Sequence, residues 1–353
     1  MATPTPATNS SAADSDRPLR LLHVADFRLD TPCQPLPGLP AAMQDVYVEA
    51  RYRAVTRLVD VAISRQVDVV LVAGGTLDAS LTGLRGPWHL VEQFTRLQAA
   101  DIDVVWASGG VDAPHRWPSY VGLPASVRRF STTARTPVVI KRDGVCPLVV
   151  GSLEALSPQS LPAESVRVTL VPGVTERPVD DAADYIACGG LPNRRIGADH
   201  RVAWPGPPQG RCFAEDAEHG ALLVTLQPGR PAAIEPVRCD VVRWTAVEVP
   251  AAATYDALVE SLHQAASAIQ SPAEATIARL SVTGSGLAVE RLRSTSRRTE
   301  LLAELRTLTT GGVFLADLLV PAAPAAAADP DVLATLAGTE RELMPRPAMT
   351  TTD

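Results

Sequence analysis

Residues 53–78 read RAVTRLVDVAISRQVDVVLVAGGTLD. In the first half Val55, Leu58, Val59, Ala62 and Ile63 recur at helical spacing, one face of an amphipathic helix spanning Ala41 to Arg65. The second half, Val67 to Ala73, is a short continuous apolar run that ends in Gly74-Gly75. Such a run reads as a strand buried on both faces. The pattern repeats on either side. Leu19 to Ala25 is an apolar run that meets a loop at Asp26. Trp88 to Ala99 places Leu90, Val91, Phe94 and Leu97 on one helix face, and Ile102 to Ala107 is a third apolar run, ending in Gly109-Gly110. Strand, helix, strand, helix, strand predicts an α/β fold with a mostly parallel sheet covered by helices. Such folds place their chemistry in the loops after the strands' C-terminal ends.

Further along, strands are expected at 138–141, 147–151, 166–171, 185–188, 202–204 and 221–226, with turn signals between them. The pattern changes at Cys239. Strands over 241–249, 276–283 and 313–320, with helices over 255–269 and 299–308, predict a small α+β unit over 239–320 with its own core. Pro321 to Asp329 reads as a flexible linker. Asp329-Pro330 then caps a short helix through Met344, within a terminal region of 321–353. Residues 1–17, rich in Ala, Ser, Thr and Pro, lack the basic and apolar regions of a signal peptide and read as a disordered leader.

The chain has 353 residues, 39 acids and 32 bases, so bulk charge does not suit it to coating DNA or an anionic membrane. No apolar run approaches the roughly 18–20 residues that span a bilayer. The five cysteines have no C-x-x-C spacing, which fits a reducing cytoplasm better than a disulfide framework. Lys141 is the only lysine, so Arg carries nearly all the positive charge. That bias fits a GC-rich bacterial genome and weakens any argument from Arg abundance.

Five segments carry a family resemblance: LLHVADFRLDTP at 21–32, residues 53–78 quoted above, VVWASGGVDAP at 104–114, DYIACGGLPNRRI at 184–196 and WPGPPQGRCFAEDAEHGALLVTL at 204–226. In this order the chain resembles the calcineurin-like metallophosphoesterases, and within them the SbcD and YhaO-type DNA-repair exonuclease branch. The resemblance covers about residues 19–244. It implies a metallophosphoesterase-type α/β sandwich over 18–238, followed by the α+β unit as a capping domain.

That family uses two divalent ions, Mn or Mg, about 4 Å apart to clamp a phosphodiester and activate a water. The resemblance places its ligand positions on this chain. Asp26 stands at the first aspartate, and Arg28 replaces the histidine two residues on. Gly75 takes the bridging aspartate's place. Gly110 and Val111 take those of an asparagine and the catalytic histidine. Pro172, Gly190 and Pro192 fall where three more histidines are expected. Asp78 and Asp112 match carboxylates near the site. Of the usual ligands Asp26 alone remains, and each ion wants about six oxygen or nitrogen donors. No resident metal is therefore expected.

The resemblance then implies a catalytically degenerate relative, a binding or scaffold subunit of an SbcC-like coiled-coil ATPase in DNA repair. The terminal helix, with Val332, Leu333, Leu336 and Leu343, is the candidate contact. The alternative is an active metal-dependent phosphodiesterase or exonuclease with an atypical ligand set. Each residue also has a plainer role. Asp26 suits a loop carboxylate bonded to backbone amides or Arg28, Asp78 and Asp112 suit turn caps, and His23 suits a hydrogen-bonded core histidine. The densest basic stretch, Arg291, Arg293, Arg297 and Arg298, is the candidate contact for phosphate or an acidic partner. DNA binding and homodimerisation stay open, and no membrane association is expected.

Overall fold

A computed structural model describes residues 17–322, apart from 32–33, 78–82, 144, 154, 156–164, 176–177 and 179. The leader to Asp16, Asp78 and the expected terminal helix lie outside the described residues.

The first sheet begins with β1 (Leu19–Val24), α1 (Ala41–Ser64), β2 (Val69–Val72), α2 (Arg85–Ala99) and β3 (Asp103–Ser108). β4 (Val127–Ser131) extends it, and β1 to β4 run parallel. Strands β5 (Val138–Ile140), β6 (Leu148–Gly151), β7 (Val166–Val171), β8 (Tyr185–Cys188), β9 (Arg195–Ile196) and β10 (Val202–Trp204) build a second sheet, in the order β5-β6-β7-β8-β10-β9. The chain then returns through β11 (Gly220–Leu226) and β12 (Ala233–Arg238) to close the first sheet as β12-β11-β1-β2-β3-β4.

Alternation along β1 shows how the layers form. Leu19, Leu21 and Ala25 join Val150, Val168, Leu170 and Ala187 in the core between the sheets. Leu22 and Val24 face the other way, against Val55, Leu58 and Val59 of α1 and Leu90 and Phe94 of α2. The result is a two-sheet α/β sandwich with helices on the outer face of the first sheet.

A third sheet carries β13 (Val242–Pro250), β14 (Ala275–Thr283) and β15 (Val313–Leu319), all parallel. α3 (Tyr255–Ala268) links the first two; α4 (Leu287–Leu292) and α5 (Thr295–Leu308) link the last two. One face of this unit has its own core around Leu258, Leu262, Leu280, Leu305 and Leu315. The other packs Trp244, Ile277 and Phe314 against Tyr47, Ala50 and Ala54 of α1. Arg53 and Arg57 of α1 both pair with Glu274 across that contact.

Three strands escape an apolar-run reading. β4 carries Arg128 and Arg129, β9 has two residues, and β12 is an edge strand that includes Pro236 and is largely exposed. α5 starts at Thr295, four residues before the expected start, because its polar first turn carries no apolar period.

His23 faces the inter-sheet core and is fully buried. Its Nε2 meets the Cys188 carbonyl at 3.1 Å and its Nδ1 the Tyr185 hydroxyl at 2.8 Å. A carbonyl only accepts, so Nε2 carries the proton and Nδ1 accepts from the phenol. Burial lowers the imidazole pKa to about 3 and raises that of Tyr185. The unfolded chain therefore binds more protons than the folded one between pH 6.5 and 3. His23 stabilises the fold fully above pH 6.5, and acidification removes about 1 kcal/mol per pH unit within that window. Urea denaturation at pH 7 and pH 5 should show the loss, and His23→Gln should flatten the dependence. A slope unchanged by the substitution would assign it elsewhere.

Candidate functional site

The loop after β1 stays zipped to the loop after β2. The backbone N–H groups of Asp26, Arg28 and Leu29 donate to the carbonyls of Gly74, Gly75 and Thr76 at 2.9, 2.9 and 3.2 Å. This pairing holds Asp26 and Arg28 at φ of 55° and 44°, a left-handed backbone uncommon outside glycine. The Asp26 side chain turns inward. Its Oδ2 accepts the Gly190 N–H at 2.6 Å, and its Oδ1 lies 3.4 Å from Arg28 Nη2. Burial pushes the carboxyl pKa up; the Gly190 N–H and the guanidinium groups of Arg28 and Arg211 oppose that rise.

A cleft of about 450 Å³ opens here, bordered by Asp26, Arg28, Gly75, Gly110, Pro172 and Gly190. These residues come from the loops after β1, β2, β3, β7 and β8, so both sheets deliver strand ends to one place. Six of the ten positions picked out in the sequence therefore converge. Asp78 is outside the described residues, and Val111 is placed by its backbone, in the short 3₁₀ turn Gly110–Asp112. Pro192 is exposed and does not border the cleft.

Asp112 points away from the cleft into the first sheet. Its Oδ2 accepts from Thr76 N at 3.1 Å, Thr76 Oγ1 at 3.0 Å and Trp106 Nε1 at 3.3 Å; its Oδ1 accepts from Gly109 N at 3.1 Å. It is 3% exposed, so this hydrogen-bonding capacity is spent on the fold. The turn-cap reading describes its geometry. Nearby, the Arg129 guanidinium lies 4.1 Å from the Trp106 ring centroid and 5.6 Å from that of Trp117. Burial lowers its pKa to about 10, with the Asp112 charge opposing. Arg129 is thus a half-buried cation packed on two indole rings.

The glycines show how closely the site is packed. A Cβ on Gly75 would lie 2.3 Å from Asp26 Oδ1, and its φ is +71°. A Cβ on Gly190 would lie 2.4 Å from the Gly173 carbonyl carbon. Backbone and carboxylate occupy the space that side chains at these positions would need.

The sequence did not single out Arg211 or Gln209. Arg211 follows the 205–210 turn and is anchored by Glu215, whose carboxylate takes its backbone N–H at 2.8 Å and its Nε at 3.1 Å. Buried Gln209 reaches the third sheet: its Nε2 donates to the Val242 carbonyl at 2.6 Å, and its Oε1 accepts from Val241 N at 2.8 Å. The available signal was the PGPPQGR text itself, where a polar pair follows a rigid turn.

Two divalent ions would need about a dozen oxygen or nitrogen donors between them. Of the described residues bordering the cleft, Asp26 alone brings a carboxylate, and both its oxygens are engaged. Arg28 adds a fixed positive charge beside it. Among the described residues, no group of three or more His, Cys, Asp or Glu side chains is arranged to hold a metal ion. This donor set does not fit a two-ion centre.

The two-sheet sandwich with its site at the strand ends is a metallophosphoesterase-type α/β architecture. The chain is similar to the uncharacterized metallophosphoesterase YhaO of Bacillus subtilis (strain 168): 26% identical over 298 residues, which cover 75% of this chain and 72% of that protein. This similarity supports the metallophosphoesterase superfamily. No protein-family model matches the chain. Among the described residues, no helix is long and apolar enough to cross a membrane.

Proposed function

We propose that this chain is a catalytically degenerate, SbcD-like member of the metallophosphoesterase superfamily, acting as a binding or scaffold subunit in DNA repair. One observation carries the reading: the remaining ligand-position carboxylate, Asp26, is held by the Gly190 N–H and the Arg28 guanidinium. An ion at that place would have to displace both and sit beside a fixed cation. The free thiols of Cys146, Cys188, Cys212 and Cys239 accord with a reducing cytoplasm.

The proposed partner is an SbcC-like coiled-coil ATPase. The contact is the terminal segment, whose Val332, Leu333, Leu336 and Leu343 would form an apolar stripe on a helix. Removing residues 321–353 should abolish co-purification with the ATPase and leave the sandwich folded. Undiminished co-purification would place the contact elsewhere. The similarity to YhaO favours a second reading, an active metal-dependent phosphodiesterase or exonuclease with an atypical ligand set. It requires stoichiometric divalent metal and turnover by the purified chain.

A further inference from the structure

Among the described residues that border the cleft between the strand ends, Arg28 brings the only cation. Its backbone is fixed on both sides. The Arg28 N–H donates to the Gly75 carbonyl at 2.9 Å, and the Thr31 N–H donates to the Arg28 carbonyl at 3.1 Å. The side chain is less committed. It is 41% exposed, and its one partner among the described residues is Asp26 Oδ1, at 3.4 Å. A guanidinium offers five N–H donors in a planar fork, so most of this one is unspent. Arg211, the other guanidinium acting on Asp26, is by contrast tied to Glu215. Arg28 also holds a left-handed backbone, at φ 44°, which a bulky residue adopts at a cost. One long contact with Asp26 is a small return for that cost, and strained residues of this kind cluster at ligand sites.

The rest of the cleft suits a small molecule. Its volume of about 450 Å³ lies within the range of such sites. Leu77, Pro172 and Val174 give it an apolar wall, with Val174 exposed at the rim. Thr31, in the loop after β1, and Thr132, just after β4, add two hydroxyl-bearing residues. Gly110 and Gly173 leave open space, since a Cβ on either would meet nothing within 4 Å. The crowding at Gly75 and Gly190 does not extend to this side of the cleft.

We propose that the cleft binds a small organic phosphate monoester directly, with the phosphate on the Arg28 guanidinium and the Thr31 and Thr132 hydroxyls and the organic body on Leu77, Pro172 and Val174. The inference rests on the reading above that the cleft has lost its two ions. A guanidinium fork matches two oxygens of a phosphate or of a carboxylate. Phosphate adds a third oxygen for the hydroxyls and carries about −1.5 to −2 charge at pH 7, so the site favours it. Asp26 does not bar an anion, because the Gly190 N–H, Arg28 and Arg211 already answer its charge.

Titration calorimetry on the full-length protein in EDTA tests this with three probes: phenyl phosphate, inorganic phosphate and benzoate. Phenyl phosphate should bind more tightly than either of the others, which lack the body or the phosphate. Arg28→Met should weaken it by about tenfold or more, the loss of one charge-assisted pair. Val174→Glu, which leaves Arg28 in place and adds a negative charge at the rim, should weaken it as well. Unchanged affinity in both variants would overturn the proposal. No binding in EDTA, with no Mn²⁺ uptake, would overturn it and leave the loss of the ions standing. Binding that needs Mn²⁺ would overturn both. Benzoate binding as tightly as phenyl phosphate would overturn the choice of phosphate in favour of a carboxylate. A 5′-phosphorylated DNA oligonucleotide that binds far more tightly than phenyl phosphate, and loses that advantage in Arg28→Met, would overturn the small-molecule occupant in favour of a DNA end.

Discussion

Asp112→Ala is expected to cost about 3–5 kcal/mol of folding stability, the range for breaking a buried, hydrogen-bonded charge. The substitution strands four buried or half-buried donors at once: the Thr76 N–H and hydroxyl, the Trp106 indole N–H and the Gly109 N–H. It also removes the carboxylate that faces the Arg129 guanidinium, which is held against two tryptophans with few ways to recover solvation. Asp112→Asn keeps an acceptor but loses the charge, and should cost about 1–2 kcal/mol. Chemical denaturation of both variants measures the difference. A loss below about 1 kcal/mol for the alanine variant would show that Asp112 does not pin the β2 and β3 loops together.

The second large effect comes from Gly75→Asp, which places a carboxylate where the family resemblance puts a bridging aspartate. The new Cβ would press on Asp26 at a position 2.3 Å from its Oδ1, in a backbone with φ of +71°. Relief requires the loop after β1 to move, which breaks the Asp26–Gly190 hydrogen bond. Two carboxylates would then share one buried corner. A non-glycine residue in left-handed backbone costs roughly 1–2 kcal/mol, and overpacking adds about 1–3 kcal/mol. The variant should melt well below the natural protein, and Mn²⁺ should not raise its melting temperature. Stabilisation that grows with Mn²⁺ concentration, as mass action gives a bound ligand, would contradict this. It would mean that the cleft is one residue away from holding metal.

Much of this arrangement was legible in the chain. Continuous apolar runs at 19–25, 67–73 and 102–107 mark strands buried on both faces, and Asp26, Gly74-Gly75 and Gly109-Gly110 mark where the loops after them turn. The residues singled out at 26, 28, 75, 110, 172 and 190 do border one cleft. What stayed hidden depended on the third dimension. The sequence shows Asp112 in a glycine turn but not that its carboxylate swings inward to Thr76 and Trp106. Nothing local announces that Trp106 and Trp117 close around Arg129. Gln209 and Arg211 act through partners on β13 and on the turn that follows, Val242 and Glu215. The edge strand β12 lacks a buried face, so it leaves no apolar alternation to read.

The proposed loss of two-metal chemistry from the cleft is open to direct assay. The purified full-length chain, incubated with excess Mn²⁺ and then freed of unbound ion, is assayed on one sample for bound metal and for turnover of a phosphodiester and a DNA end. The expected result is metal far below one ion per chain and turnover indistinguishable from the buffer rate. Stoichiometric Mn²⁺ with turnover that disappears on chelation would overturn the proposed degeneracy and place the chain among active phosphodiesterases.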